Sequence, residues 1–220
     1  MQETIEKNLL QIREEIEPCK PNIIAVTKYF DENAIIAAYR AGLRHFAESR
    51  ALEAIEKINK LPEEIKRNST FHFIGHLQSN KVKKVVSYFD YIHSVDTFEL
   101  AEKISQEALK ADKIQKIFLE INNAEENQKF GFSKDNIFGI FGKIQKLSNI
   151  ELAGLMNMTP LGAEEETSRK LFEELRQLES DLNSRFNCKM QELSMGMSQD
   201  YKIAAQSGAT FLRIGRKLFN

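Results

Sequence analysis

Lys28 closes an almost wholly apolar run, Ile23-Ile24-Ala25-Val26-Thr27. A strand of that composition is buried on both faces, so the residue at its end is delivered to a confined, weakly solvated place. Lysine there has a specific chemistry open to it. Desolvation disfavours the ammonium, and the neutral amine can attack a carbonyl to form a Schiff base. The alternative is a solvated lysine at a strand end, the commonest fate of the residue.

Three further stretches carry chemistry. The run Phe73-Ile74-Gly75-His76-Leu77-Gln78-Ser79-Asn80-Lys81 places His76 where a strand meets its loop. His72 and His76 could share one side of a strand, but no third ligand lies close in sequence, so a polar contact to a bound ligand is favoured over a metal. Ser194-Met195-Gly196-Met197-Ser198-Gln199-Asp200 offers Ser198 as a helix cap and Asp200 in the first turn. A helix start of this kind also suits phosphate, because its N–H groups are free. In Arg213-Ile214-Gly215-Arg216, strand alternation turns Arg213 away from Leu212 and Ile214, and Gly215 lets the backbone approach a ligand closely. An arginine inside a strand needs an anionic or accepting partner.

The elements that must position these residues follow from patterning. Apolar runs at 22–27, 45–47, 71–75, 91–95, 117–121, 152–156, 191–195 and 210–214 are expected as strands. Amphipathic segments lie between them: 32–41 closed by Gly42, 48–59, one through 81–87, one from an Asp96 cap to Leu109, one opened by Ser133, a long charged helix over 164–183, and 198–207 closed by Gly208. A further helix, 4–16, precedes the first strand. Eight alternating strand–helix units imply a parallel sheet closed into a (β/α)8 barrel of the TIM type, one domain over 1–220. An open doubly wound sheet would show a glycine-rich turn after the first strand, and Lys28-Tyr29-Phe30 is nothing like one. In such a barrel the working residues sit at the C-terminal ends of the strands, and phosphate sits by the loops after strands seven and eight.

Composition narrows the classes. The 220 residues carry 31 basic and 32 acidic side chains, a net charge of −1, with 42% hydrophobic residues. That is not the one-sided basic surface of a nucleic-acid binder, and no apolar run is long enough to cross a bilayer. Cys19 and Cys188 are far apart and belong to no CxxC. Two reduced thiols and a cytoplasmic location are expected. The charged outer face of the 164–183 helix is expected to be solvated and to bind no partner.

Together these stretches resemble the pyridoxal phosphate homeostasis proteins, a family of barrels like the N-terminal domain of alanine racemase. The matching segments are Ala25-Val26-Thr27-Lys28, Phe73 through Lys81, Ile92-His93-Ser94-Val95-Asp96, Gly154-Leu155-Met156, Leu193 through Ser198 with Asp200, and Gly208-Ala209-Thr210 through Arg213-Ile214-Gly215. The resemblance implies that pyridoxal 5'-phosphate is held as a Schiff base on Lys28. It implies that Arg213 faces the pyridine nitrogen, and that Ser198 with the backbone around Gly215 and Arg216 holds the phosphate. An arginine there keeps the ring nitrogen unprotonated and makes the ring a poorer electron sink. The chain departs from the family at Phe46-Ala47-Glu48-Ser49, where Phe-Gly-Glu-Asn is usual, at Arg216, which replaces a small hydroxyl residue, and at Asn220.

The function so implied is a monomeric carrier that acts in vitamin B6 and amino-acid homeostasis without turnover and hands the cofactor to apo-enzymes. The chain stops after the eighth strand, so the second domain of true racemases, which supplies the opposite-face tyrosine, is expected to be absent. Racemisation needs an acid or base on each face of the substrate, and only Tyr29 and His76 offer themselves besides Lys28. A weak pyridoxal-phosphate-dependent racemase is the alternative. A Schiff-base aldolase acting on a sugar phosphate comes third.

Overall fold

Asn22–Val26 (β1) alternates strictly: Ile23 and Ala25 pack outward against helices, while Ile24 and Val26 face a second, inner cluster. The same alternation repeats around a closed ring of eight parallel strands. The structure, a computed structural model, describes residues 1–124 and 130–220. In chain order, α1 (Gln2–Glu15) precedes β1, followed by α2 (Glu32–Arg40), β2 (His45–Glu48), α3 (Ala51–Asn59), α4 (Glu63–Arg67), β3 (Thr70–Phe73), α5 (Val82–Tyr88), β4 (Tyr91–Val95) and α6 (Phe98–Lys110). The second half adds β5 (Gln115–Glu120), α7 (Lys134–Ile144), β6 (Ile150–Met156), α8 (Glu165–Phe186), β7 (Glu192–Met197), α9 (Tyr201–Gln206), β8 (Phe211–Ile214) and α10 (Arg216–Phe219). The expected TIM-type barrel with an N-terminal helix is therefore what forms.

Helical periodicity supplies the outer layer. In α8 the buried positions Ser168, Leu171, Phe172, Leu175, Leu178 and Leu182 recur at intervals of one to four and make one stripe. Gly42 follows α2 with φ +93°, and its N–H and that of Leu43 return to the carbonyls of Tyr39 and Ala38. That pair of bonds closes the helix in the way only a left-handed residue permits.

Two expected caps are corrected. Thr97, not Asp96, caps α6, its hydroxyl accepting from Leu100 N–H at 3.2 Å. The last outer helix begins at Tyr201, not Ser198, because Asp200 occupies the cap position. The helix α4 was not anticipated. Pro62 starts it, and a single residue, Ile65, is buried, too little apolar surface to leave a periodic signal.

β1 and β8 close the ring, with Ile24 opposite Arg213 and Ala25 opposite Ile214. The chain's first and last helices reinforce that seam, because Asn8 Nδ2 donates to the carbonyls of Leu218 and Asn220. Among the described residues no helix is long and apolar enough to cross a membrane.

Candidate cofactor site at the C-terminal mouth of the barrel

The β7 and β8 ends meet at Ser198. Asp200 stands at the cap position of α9 but makes no side-chain bond to the helix; its carboxylate turns back to accept from Met197 N–H at 2.6 Å and from the Thr159 hydroxyl at 2.5 Å. Ser198 Oγ is thereby released, and it accepts from the backbone N–H of Gly215 and of Lys217, both at 3.3 Å. Three potential donors, one hydroxyl and two amides, converge on one point. They border a shallow cavity of about 340 Å³ lined by Ser198, Gln199, Arg216 and Lys217. Arg216 is exposed there and Lys217 half-exposed. Lys217 was not singled out in the sequence, because a lysine in a four-residue terminal helix has no pattern to mark it. A tetrahedral anion suits this donor set, which is neutral backbone and hydroxyl ringed by two cations.

Arg213 lies in the lumen wall below the mouth. It faces inward, as alternation required, while Leu212 and Ile214 join the outer core. Its side chain is almost fully buried; one guanidinium nitrogen donates to Ser194 Oγ at 2.6 Å and the other to the Asn157 carbonyl at 2.8 Å. Burial pushes its pKa down to about 10, against the pull of the Asp200 and Glu120 carboxylates. No carboxylate among the described residues shares a hydrogen bond with it, which leaves remaining guanidinium N–H groups for another acceptor.

Lys28 follows β1, the neighbour of β8. A Cβ added at Gly215 would lie 3.6 Å from both Val26 Cβ and the Val26 carbonyl, so the two strand ends are in contact two residues before Lys28. The side chain is half-buried, and its Nζ lies 5.1 Å from the centre of the Tyr29 ring. Tyr29 itself is 77% exposed, unlike an acid or base held in a mouth. No carboxylate among the described residues pairs with the Lys28 amine.

His76 sits on the other side of the mouth, after β3. It lies 3.5 Å from Asp96 and stacks on Phe130 with ring centres 3.9 Å apart. Together with Ser49, Arg50, Gln78 and Lys81 it lines a separate cavity of about 300 Å³. His72 turns into the lumen instead, so the two histidines share no face. Among the described residues no three ligand-type side chains gather as a metal site would require.

Two carboxyls in the mouth were not anticipated. Asp96 is buried, which raises its pKa, although His76 opposes the shift. Glu120, at the end of β5, is pushed up to about 7 by burial first and the charge of Asp96 second, with Arg213 acting against both. Glu120 ends a strand that reads as ordinary apolar alternation, so nothing in its spacing announces it.

The family described as alanine racemase, N-terminal domain, matches residues 2–220. A pyridoxal phosphate homeostasis protein of Synechocystis sp. is 39% identical over 202 residues, 92% of either chain. This chain belongs to the pyridoxal phosphate homeostasis family. Another such relative, from Escherichia coli, is 30% identical over 98% of this chain and 95% of its own. Among solved structures, PipY of Synechococcus elongatus without pyridoxal phosphate superposes with a TM-score of 0.92, at 35% identity over 98% of this chain and all of its own. The same protein with pyridoxal phosphate bound gives 0.88. An alanine racemase of Clostridium difficile gives 0.77 at 16% identity; this chain covers 56% of its length, and the likeness is one of fold. The family resemblance carried by the Phe73–Lys81 and Leu193–Ser198 segments thus holds over the whole barrel.

Proposed function

We propose that this protein binds pyridoxal 5'-phosphate at the β1, β7 and β8 ends of the barrel, held as a Schiff base on Lys28, and serves its homeostasis as a carrier without turnover. The observation that carries the reading is the convergence of Ser198 Oγ with the Gly215 and Lys217 amides, beside an inward-facing Arg213. The donor set fits a phosphate, and Arg213 fits an acceptor nitrogen. The pyridoxal-phosphate-bound form of the 34%-identical PipY supports the ligand class.

Each residue has a role. Ser198 with the Gly215 and Lys217 amides would hold the phosphate, and the exposed Arg216 would add positive charge beside it. Lys28 Nζ would be the amine that holds the aldehyde, as a Schiff base. Arg213, a permanent donor, would offer an N–H to the pyridine nitrogen and so keep that nitrogen unprotonated. The cofactor's usual contribution is to draw electrons from a substrate carbon. Arg213 weakens that draw, which favours storage and transfer to apo-enzymes over catalysis. His76, expected to touch the ligand, joins Asp96 and borders the mouth from the β3 side.

The test is the visible absorbance of the purified, cofactor-loaded protein, followed by borohydride reduction and peptide mapping. A band that vanishes on reduction, with the pyridoxyl mass on Lys28, is expected. A protein that stays colourless with added pyridoxal phosphate would defeat the reading.

One observation favours a weak amino-acid racemase as a second reading: Glu120, with its pKa near 7, is a proton-transfer group in the mouth. Conversion of an L-amino acid to its D form, lost in Glu120→Gln, would support it.

A further inference from the structure

The lumen of a barrel of this kind is ordinarily filled by branched aliphatic side chains. Here an unbroken polar line crosses it. Arg213 donates to Ser194 Oγ at 2.6 Å, and Ser194 Oγ meets His93 Nδ1 at 2.8 Å. His93 Nε2 meets His72 Nδ1 at 2.9 Å, and His72 Nε2 meets His45 Nδ1 at 2.9 Å. Ser194, His93 and His72 are wholly shielded from solvent. His45, the first residue of β2, is half-buried at the opposite face of the barrel. Three of the four histidines in the sequence are committed to this line.

Its direction follows from donor chemistry. A guanidinium only donates, so Ser194 Oγ accepts from Arg213, and among the described residues His93 Nδ1 is the one acceptor bonded to that hydroxyl, so its single hydrogen goes there. Burial holds His93 and His72 well below the usual imidazole range, each lowered further by charged or imidazole neighbours, so both are neutral. A neutral imidazole has one donor and one acceptor. His93 accepts at Nδ1 and therefore donates from Nε2 to His72 Nδ1; His72 in turn donates from Nε2 to His45 Nδ1. Every imidazole presents its lone pair toward Arg213 and its N–H away from it. Three dipoles so aligned favour a buried cation.

The rings are also clamped. His72 stacks on Tyr91 with centres 4.8 Å apart, His93 stacks on Phe118 at 4.3 Å, and Phe211 lies edge-on to His45, His72 and His93. The charged groups around the line are few. Asp90 acts on His45, Tyr91 beside His72 is bonded to Glu192 and Lys116, and Glu120 and Asp200 flank Arg213.

We propose that His93, His72 and His45 are positioning residues: through Ser194 they form a one-directional relay that supports the Arg213 guanidinium from below and keeps it aimed at the bound cofactor ring. The reference to the ring rests on the cofactor reading above; the order of the relay does not.

Nitrogen-15 spectra of the histidine side chains in the cofactor-free protein test that order. All three lumen histidines are expected to carry hydrogen on Nε2 with Nδ1 bare at neutral pH. Hydrogen on Nδ1 of His93 or His72 would overturn the relay. The second measurement is hydrogen exchange of the Arg213 guanidinium in the same protein. His72→Phe, or His45→Gln at the less buried end should the first not fold, is expected to speed it about fivefold, the scale of one neutral hydrogen bond lost from the line. In the cofactor-loaded protein the same variants are expected to shift the visible absorption maximum. Unchanged exchange in a folded variant would overturn the proposal, as would an unchanged maximum. A wild type that binds no pyridoxal phosphate would defeat the cofactor reading alone, and the two cofactor-free measurements would still decide the relay.

Discussion

Lys57 Nζ lies 2.5 Å from Glu48 Oε1, in a buried ion pair set directly behind the strand that leads to Lys28. The same ammonium donates to the Thr27 carbonyl at 2.9 Å, and the Thr27 hydroxyl donates to Glu48 at 2.7 Å. The residue before Lys28 is therefore fixed through both its backbone and its side chain. Glu48→Ala strands a buried ammonium, and a loss of about 3–5 kcal/mol is expected. Lys57→Met with Glu48→Leu removes both charges and should recover most of it. Urea unfolding of the single and double variants measures the difference.

Ser198→Ala removes the hydroxyl on which the Gly215 and Lys217 amides converge. Loss of one hydrogen bond to a charged group is worth about 1.5–3 kcal/mol. Equilibrium dialysis should therefore show pyridoxal 5'-phosphate held roughly tenfold to a hundredfold more weakly. Stability without the cofactor should hardly change, because the half-exposed amides can turn to water. An unchanged affinity would remove Ser198 from the cradle.

Glu120 makes stability depend on pH. Its folded pKa, about 7, stands above the ordinary 4.5, so the folded state keeps a proton that the unfolded chain has already lost. Its contribution is whole below about pH 4.5 and falls away as the pH rises to about 7. Glu120→Gln cannot ionise. The variant is expected to match wild type near pH 4 and to exceed it by about 3 kcal/mol at pH 8 in the cofactor-free protein. Denaturation at the two pH values checks the sign.

Thr97→Ala should cost about 1 kcal/mol through the lost cap of α6. Asp96→Asn leaves that cap intact and alters the contact with His76 instead. Urea midpoints for Thr97→Ala and spectra of the bound cofactor for Asp96→Asn separate the two neighbours. A destabilised Asp96→Asn with an unaffected Thr97→Ala would restore Asp96 as the cap.

What the sequence disclosed depended on whether a signal was local. Strand alternation placed Arg213 inward, and the Ile23–Val26 run placed Lys28 at a strand end. Capping rules found Ser133 but assigned Asp96 and Ser198 wrongly. In both places a neighbour stands at the cap position instead: Thr97, whose hydroxyl turns toward the helix, and Asp200, whose carboxylate turns away to Met197 and Thr159; only the fold decides between such neighbours. The decision matters, since the displaced residue is the one freed for the mouth. Lys57 carries no mark in the sequence, because its partner Glu48 belongs to the preceding strand. The relay was least accessible of all: its histidines stand 27 and 21 positions apart, and Ser194 a further 101 from His93. Only a ring closed on itself brings such residues within 3 Å.

The closing of β1 onto β8 also sets an order of events during synthesis. Lys28 is made near the beginning of the chain, and Arg213, Gly215 and Lys217 near its end. A ribosome that has delivered the first seven strands has produced the amine but neither the arginine nor the cradle. Long-range pairing of this sort forms late, after the loop it closes has been ordered. Pyridoxal phosphate bound to this barrel would then mark a chain translated through β8 whose first and eighth strands have closed on each other.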